Sequence, residues 1–117
     1  MATQDPDTER DGPLPPDVVA DLLADERRRR ALEILDRRDR PVVVGDLARA
    51  VLATERNVPE AEVPDDEVDA VRAELYRDHL PKLTATGVVA YDSMVGTVEL
   101  RRPDVLPDGE RPIPTDQ

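Results

Sequence analysis

LYRDHLPKLTATGVVAYDSMVGTVELR, residues 75–101, is the stretch on which the fold rests. Its first part continues a helical pattern that begins near residue 66. Val68, Val71, Leu75, Tyr76, His79, Leu80 and Leu83 fall on the inner side of a helix over 66–86. Pro81 lies inside that helix, donates no backbone N–H and crowds the carbonyl four residues back, so a kink there or a break at His79-Leu80 is expected. Gly87 stands where a helix closes in the left-handed conformation. Beyond it the character changes: 88–92 and 97–101 are strand-like, and Ser93-Met94-Val95-Gly96 between them reads as a hairpin loop with glycine in a turn position.

Upstream, three further helices precede this unit. Val18, Val19, Leu22 and Leu23 follow Pro15-Pro16-Asp17, and prolines and an aspartate suit a first helical turn, so a short helix spans 16–24. Asp25 can cap a second helix over 26–38, with Ala31, Leu32, Ile34 and Leu35 inside, ended by Asp39-Arg40-Pro41. After a brief extended piece at 41–43, Val44, Leu47, Ala48, Val51 and Leu52 match the i, i+3, i+4, i+7, i+8 template of a third helix over 44–54. Val43 stands at its cap position, where a side-chain acceptor is expected. Residues 55–67 are acidic, contain two prolines and read as a loop holding at most one short turn. The order is helix, helix, short strand, helix, loop, helix, hairpin: α+β, mostly α.

A chain of 117 residues has room for one domain. Residues 1–13 and 103–117 are rich in Pro, Asp, Glu and Gly and are expected to be disordered acidic tails, leaving 14–102 as the domain. With no Phe and no Trp, the core must be Leu, Val and Ala. Net charge is −11, and the central part remains negative once the ends are set aside. Among 16 basic residues Lys82 is the one lysine, a balance resembling that of salt-accumulating archaea. No apolar run approaches the ~20 residues needed to cross a bilayer, and the acidic beginning does not read as a signal peptide. A cytoplasmic location is expected. With no cysteine, thiolate chemistry and cysteine metal sites are excluded. The five glycines are scattered and form no phosphate-cradling loop, and Ser93, the one serine, has no histidine near it in sequence. The reading is not an enzyme, with no cofactor and no metal.

The element order is that of a winged helix-turn-helix: about four helices plus a C-terminal β-hairpin wing. Residues 22–35, LLADERRRRALEIL, resemble the second-helix segment of arsenic-repressor-type (ArsR-like) transcriptional regulators. Residues 76–83, closing on Thr86-Gly87-Val88-Val89, look like their recognition helix running into the wing. The whole of 14–102 is most similar to an uncharacterised family of haloarchaeal winged-helix domains. Metal sensing by cysteine pairs is not implied, because the cysteines are missing.

The resemblance implies a transcriptional regulator, a homodimer on paired half-sites of double-stranded DNA, reading the major groove with the fourth helix. Arg72 and Arg77 on that helix are the side chains suited to guanine edges or phosphates, and Lys82 to a phosphate one turn on. Against this stand Asp65, Asp66, Glu67, Asp69 and Glu74 on the same helix, which repel phosphates. The alternative is a winged-helix protein-interaction module contacting a basic partner through an acidic face. A basic potential near Arg72 and Arg77 favours DNA, and a uniformly negative one favours a protein. Arg27–Arg30 cannot form one patch, since consecutive helical positions lie ~100° apart. Two are expected to be solvated and one or two to pair with acids of neighbouring helices. His79 is expected to be packed, with a backbone partner, rather than a ligand or base.

Dense surface carboxylates repel one another unless salt screens them. The thermal midpoint should rise by tens of degrees between roughly 0.1 M and molar KCl, as the Debye length shortens to ~3 Å. Circular-dichroism melts across that range check it, and a salt-independent midpoint contradicts the salt-adaptation reading.

Overall fold

The computed structural model describes residues 14–106. Helix α1 (Pro16–Ala24) begins with proline at its first position, where a missing N–H costs nothing, and Asp17 lies in its first turn. Asp25 ends α1 and starts α2 (Glu26–Arg38), its carboxylate accepting the Arg28 N–H at 2.9 Å. That bond holds the Asp25 carboxyl below the usual carboxylate range. Ala31, Leu32, Ile34 and Leu35 are buried, and Asp39 closes the helix in the left-handed conformation at φ 55°. Strand β1 (Val42–Val43) leads directly into α3 (Val44–Arg56). Asn57 at φ 58° stops α3 two residues later than its apolar pattern indicated.

The missing cap of α3 is supplied from elsewhere. The Val44 N–H donates to the carbonyl of Gly96 in the hairpin at 3.0 Å. A backbone group orphaned at the helix start is thus satisfied by tertiary structure rather than by a neighbouring side chain.

A 3₁₀ turn (Glu60–Glu62) lies in the connection and Val63 is buried after it. The fourth helix then runs as α4 (Asp65–Glu74), a π turn (Leu75–His79) and α5 (Leu80–Ala85). It neither breaks nor stops at Pro81. The Leu80 N–H reaches back to the Leu75 carbonyl, lengthening the bond pattern by one residue ahead of the proline. Widening the turn there accommodates a residue that cannot donate to Arg77 and whose ring would crowd it.

Gly87 takes φ 77°, and β2 (Val89–Asp92) and β3 (Thr97–Leu100) form the expected antiparallel hairpin. The sheet has the order β1-β3-β2, with Val42 opposite Val98 and Val98 opposite Tyr91. Helix α3 packs between α2 and α4, α1 lies on α2, and the sheet joins α2, α3 and α5 at one end. The core is Leu, Val, Ala and one Ile. The architecture is α+β, mostly helical, with a winged helix-turn-helix layout. No helix among the described residues is long and apolar enough to cross a membrane.

One boundary is corrected. The expected tail from residue 103 begins instead with a 3₁₀ turn (Pro103–Val105), and Val105 and Leu106 are buried at 5% and 4% exposure. Two adjacent apolar residues anchor a segment whose average composition is that of a tail. Residues 1–13 and 107–117 lie outside the described residues.

If that anchor belongs to the core, Leu106→Ala should destabilise the fold by about 2 kcal/mol or more, the usual cost of a buried Leu→Ala change. Urea unfolding at fixed salt measures it. A change under about 0.5 kcal/mol, typical of solvent-facing positions, would return the segment to the tail.

Candidate functional site: the fourth helix and the hairpin

The fourth helix is held by its apolar stripe. Val68, Val71, Leu75, Leu80 and Leu83 are buried against the core, and Asp66, Asp69, Arg72, Tyr76, Arg77 and Lys82 are exposed. Each of the three cations expected to read nucleic acid is already engaged by a carboxylate. Arg77 makes a two-pronged contact with its neighbour Asp78, Nε to Oδ1 at 3.0 Å and Nη2 to Oδ2 at 2.8 Å. This holds the Asp78 carboxyl below its ordinary range. Arg72 Nη2 lies 3.6 Å from Asp69 one turn back, and its stem passes over Gly45 at the start of α3. Lys82 Nζ donates to Asp21 Oδ2 of α1 at 2.9 Å and lowers that carboxyl too. The three carboxylates lie one turn back on the same helix, next in sequence and on α1, so the structure does not gather these cations into one patch.

The acids of the same helix divide into two sets. Asp65 takes Arg49 of α3 at 2.6 Å, and Glu67 pairs with Arg56 of α3. Among the described residues Asp66 has no ion-pair partner. Counting residues 65–85, six acids stand against three arginine and lysine cations. The arginines without an ion pair or hydrogen bond among the described residues, Arg37 and Arg40, are at the far end of α2 and in the turn after it.

Glu74 turns inward, into a polar chain that crosses the molecule. Arg28, 8% exposed, donates from Nη1 to the carbonyls of Asp21 and Leu22, both at 3.1 Å, and from Nε to His79 Nδ1 at 3.3 Å. Since Arg28 can only donate, His79 Nδ1 is the acceptor and the ring's proton sits on Nε2, 2.8 Å from Glu74 Oε2. Glu74 Oε1 accepts from Arg27 at 2.8 Å, and Arg27 grips Glu55 with two further bonds at 2.8 and 2.7 Å. His79 is therefore packed, as expected, but its partners are side chains rather than backbone. The Arg27–Arg30 run is more fully committed than expected: Arg29 pairs with Glu33, and Arg30 lies 3.9 Å from Glu26 and 3.8 Å from Glu55.

A second feature was not legible. Tyr76, placed by periodicity on the inner side, is 41% exposed and stands edge-on to Tyr91 of β2, with ring centres 5.8 Å apart. The Tyr91 hydroxyl donates to that of Tyr76 at 3.3 Å. Together with Val43, Met94 and Val95, they are the exposed large hydrophobic residues of the described chain. All five belong to β1, the hairpin or the helix flank beside it. The signal available was sparse: in a chain without Phe or Trp, the two tyrosines fall one on the fourth helix and one on the hairpin.

Among the described residues no three or more His, Cys, Asp or Glu side chains converge as a metal ligand set. An open hollow of about 570 Å³ beside the polar chain is lined by Asp25, Glu26, Arg27, Arg30, Glu55 and Glu74; its two arginines pair with Glu26, Glu55 and Glu74, and Asp25 is taken by its cap bond. Another of about 650 Å³ lies between the C-terminal ends of α2 and α3.

No curated protein and no solved structure matches the sequence. A family described as a domain of unknown function (DUF7344) matches residues 20–99, from α1 into β3, and the chain belongs to that family.

Proposed function

We propose that this chain is a non-catalytic winged-helix interaction module that takes a basic protein partner on the acidic outer side of its fourth helix. One observation carries the reading: Arg72, Arg77 and Lys82 are each engaged by a carboxylate, while Asp66 has no ion-pair partner among the described residues. A phosphate backbone meeting this face finds engaged cations and the repelling carboxylate of Asp66. A basic protein segment finds the reverse. The hairpin loop adds no positive charge, being Ser93-Met94-Val95-Gly96 with Asp92 before it.

The rival reading is a DNA-binding transcriptional regulator, and the winged helix-turn-helix layout favours it. Exposed ion pairs are worth only about 0–1 kcal/mol, so Arg77 could exchange Asp78 for a phosphate or a guanine edge at small cost. Asp66, unpaired among the described residues, would still face the phosphates. That repulsion weighs against DNA.

The two readings separate in a paired assay. Mobility shifts with native promoter fragments, run from roughly 0.1 M to molar KCl, should show no retained DNA. An arginine-rich peptide should bind at the low-salt end, and the double variant Asp66→Asn, Asp69→Asn should weaken it about tenfold, or ~1.4 kcal/mol. Should the parent retain a promoter fragment and Arg77→Ala release it with an unchanged melting temperature, the regulator reading replaces this one.

A further inference from the structure

The acidic face attracts a basic partner but does not say where a side chain is gripped. The aromatic and apolar residues beside it do. Tyr76 and Tyr91 present ring surface that the core does not cover, and Met94 and Val95 at the hairpin tip are 89% and 64% exposed. Isolated exposed apolar residues are ordinary. Here Tyr76 and Tyr91 meet edge-on, Met94 and Val95 stand at the tip of the same hairpin, and Val43, opposite Thr97, lies on the other face of the sheet from Tyr91. Their setting is fixed: the tyrosines are cross-linked by the hydroxyl bond, and Asp92 Oδ1 accepts the Met94 N–H at 2.9 Å, setting the start of the turn. Carboxylates lie near the patch, with Asp92 next to Tyr91 in β2 and Asp69 two turns before Tyr76 on the fourth helix.

Charge selects among the occupants. A second copy of this chain brings another net charge of −11 to the contact, and anionic lipid or nucleic acid is repelled in the same way. A cation on an apolar stem suits every element of the patch. The stem lies on methionine and valine, the charged head on the negative face of a tyrosine ring, and the nearby carboxylates complete the match.

Resting on the interaction-module reading above, we infer that Tyr76, Tyr91, Met94 and Val95 form the anchor site for an arginine or lysine side chain of a basic, extended partner segment. Long-range attraction by the acidic face then governs encounter, and the patch governs retention. Contact-distance ring and stem interactions outlast salt, whereas attraction beyond ~3 Å is screened at molar ionic strength.

The chain carries its own reporters. Tyr76 and Tyr91 are its two tyrosines and tryptophan is absent, so near-ultraviolet-excited emission reports on this pair alone, and Met94 is one of only two methionines. The probe is a peptide of alternating arginine and leucine, compared with the same peptide carrying citrulline, which is uncharged, for arginine. With the full chain, the arginine peptide should change the tyrosine emission and shift the Met94 ε-methyl resonance. The double variant Met94→Ser, Val95→Ser should lower its affinity about tenfold at molar KCl, where the citrulline peptide should bind weakly to the parent. Asp66→Asn, Asp69→Asn should weaken low-salt binding and leave molar-salt binding unchanged. Equal affinity of the parent and Met94→Ser, Val95→Ser, with unmoved tyrosine emission, overturns the anchor while leaving the acidic-face reading intact. Equal binding of the citrulline peptide removes the cation from the account. Failure of the arginine peptide to bind at any salt overturns both readings. Sedimentation showing parent dimers that Met94→Ser, Val95→Ser dissolves would make the patch a contact between copies instead.

Discussion

The hydrogen bond from Arg28 to His79 is the contact that the arrangement of the helices depends on. It joins a buried guanidinium on α2 to an imidazole in the π turn of the fourth helix. The same guanidinium satisfies two carbonyls at the end of α1. A buried cation is tolerated only when its donors are spent, and the Arg28 contacts spend them on two different elements. His79 passes the chain to Glu74, and Glu74 to Arg27 and on to Glu55 of α3. Every helix is thereby tied to the fourth one through polar contacts of defined direction. Leucine and valine packing alone, nondirectional as it is, would leave the rotation of that helix less determined.

This arrangement also sets what the outside looks like. With 27 acids against 16 arginines and lysines, cations are the scarce partner. The polar chain takes Arg27 and Arg28 inward, Arg49 and Arg56 of α3 go to acids of α4, and Lys82 goes to α1. Each cation on the outer side of the fourth helix already has a carboxylate, and Asp66, unpaired among the described residues, tips the field negative. A winged-helix layout thus carries a surface of opposite character to that expected of a groove-reading helix.

Much of the fold was legible because its signals are local. The apolar spacing in 44–54, the Asp25 cap, Gly87 after the fourth helix and the change of period into 88–92 each act within a few residues of where they are written. The gaps have a common cause. Val44 is capped by Gly96, far along the chain. Lys82 meets Asp21 across 61 positions, and Arg27 meets Glu74 across 47. Partners chosen by packing leave no trace in periodicity, so the candidate cations could be named but their neutralisation could not. Tyr76 was misplaced for a related reason: it lies in the π turn, where the residue-to-residue rotation differs from that of the helix before it. Val105 and Leu106 were hidden by averaging, two anchoring side chains within a stretch of Pro, Asp and Gly.

The proposed function rests on the sign of the field over the fourth helix. Paramagnetic relaxation of backbone amides by two nitroxides of equal size, one cationic and one anionic, measures that sign residue by residue in solution. The account predicts stronger relaxation by the cationic probe at the amides of Arg72, Arg77 and Lys82, and a smaller cationic excess at Arg37 and Arg40, which have no carboxylate partner among the described residues. Stronger relaxation by the anionic probe at the three fourth-helix amides would contradict it.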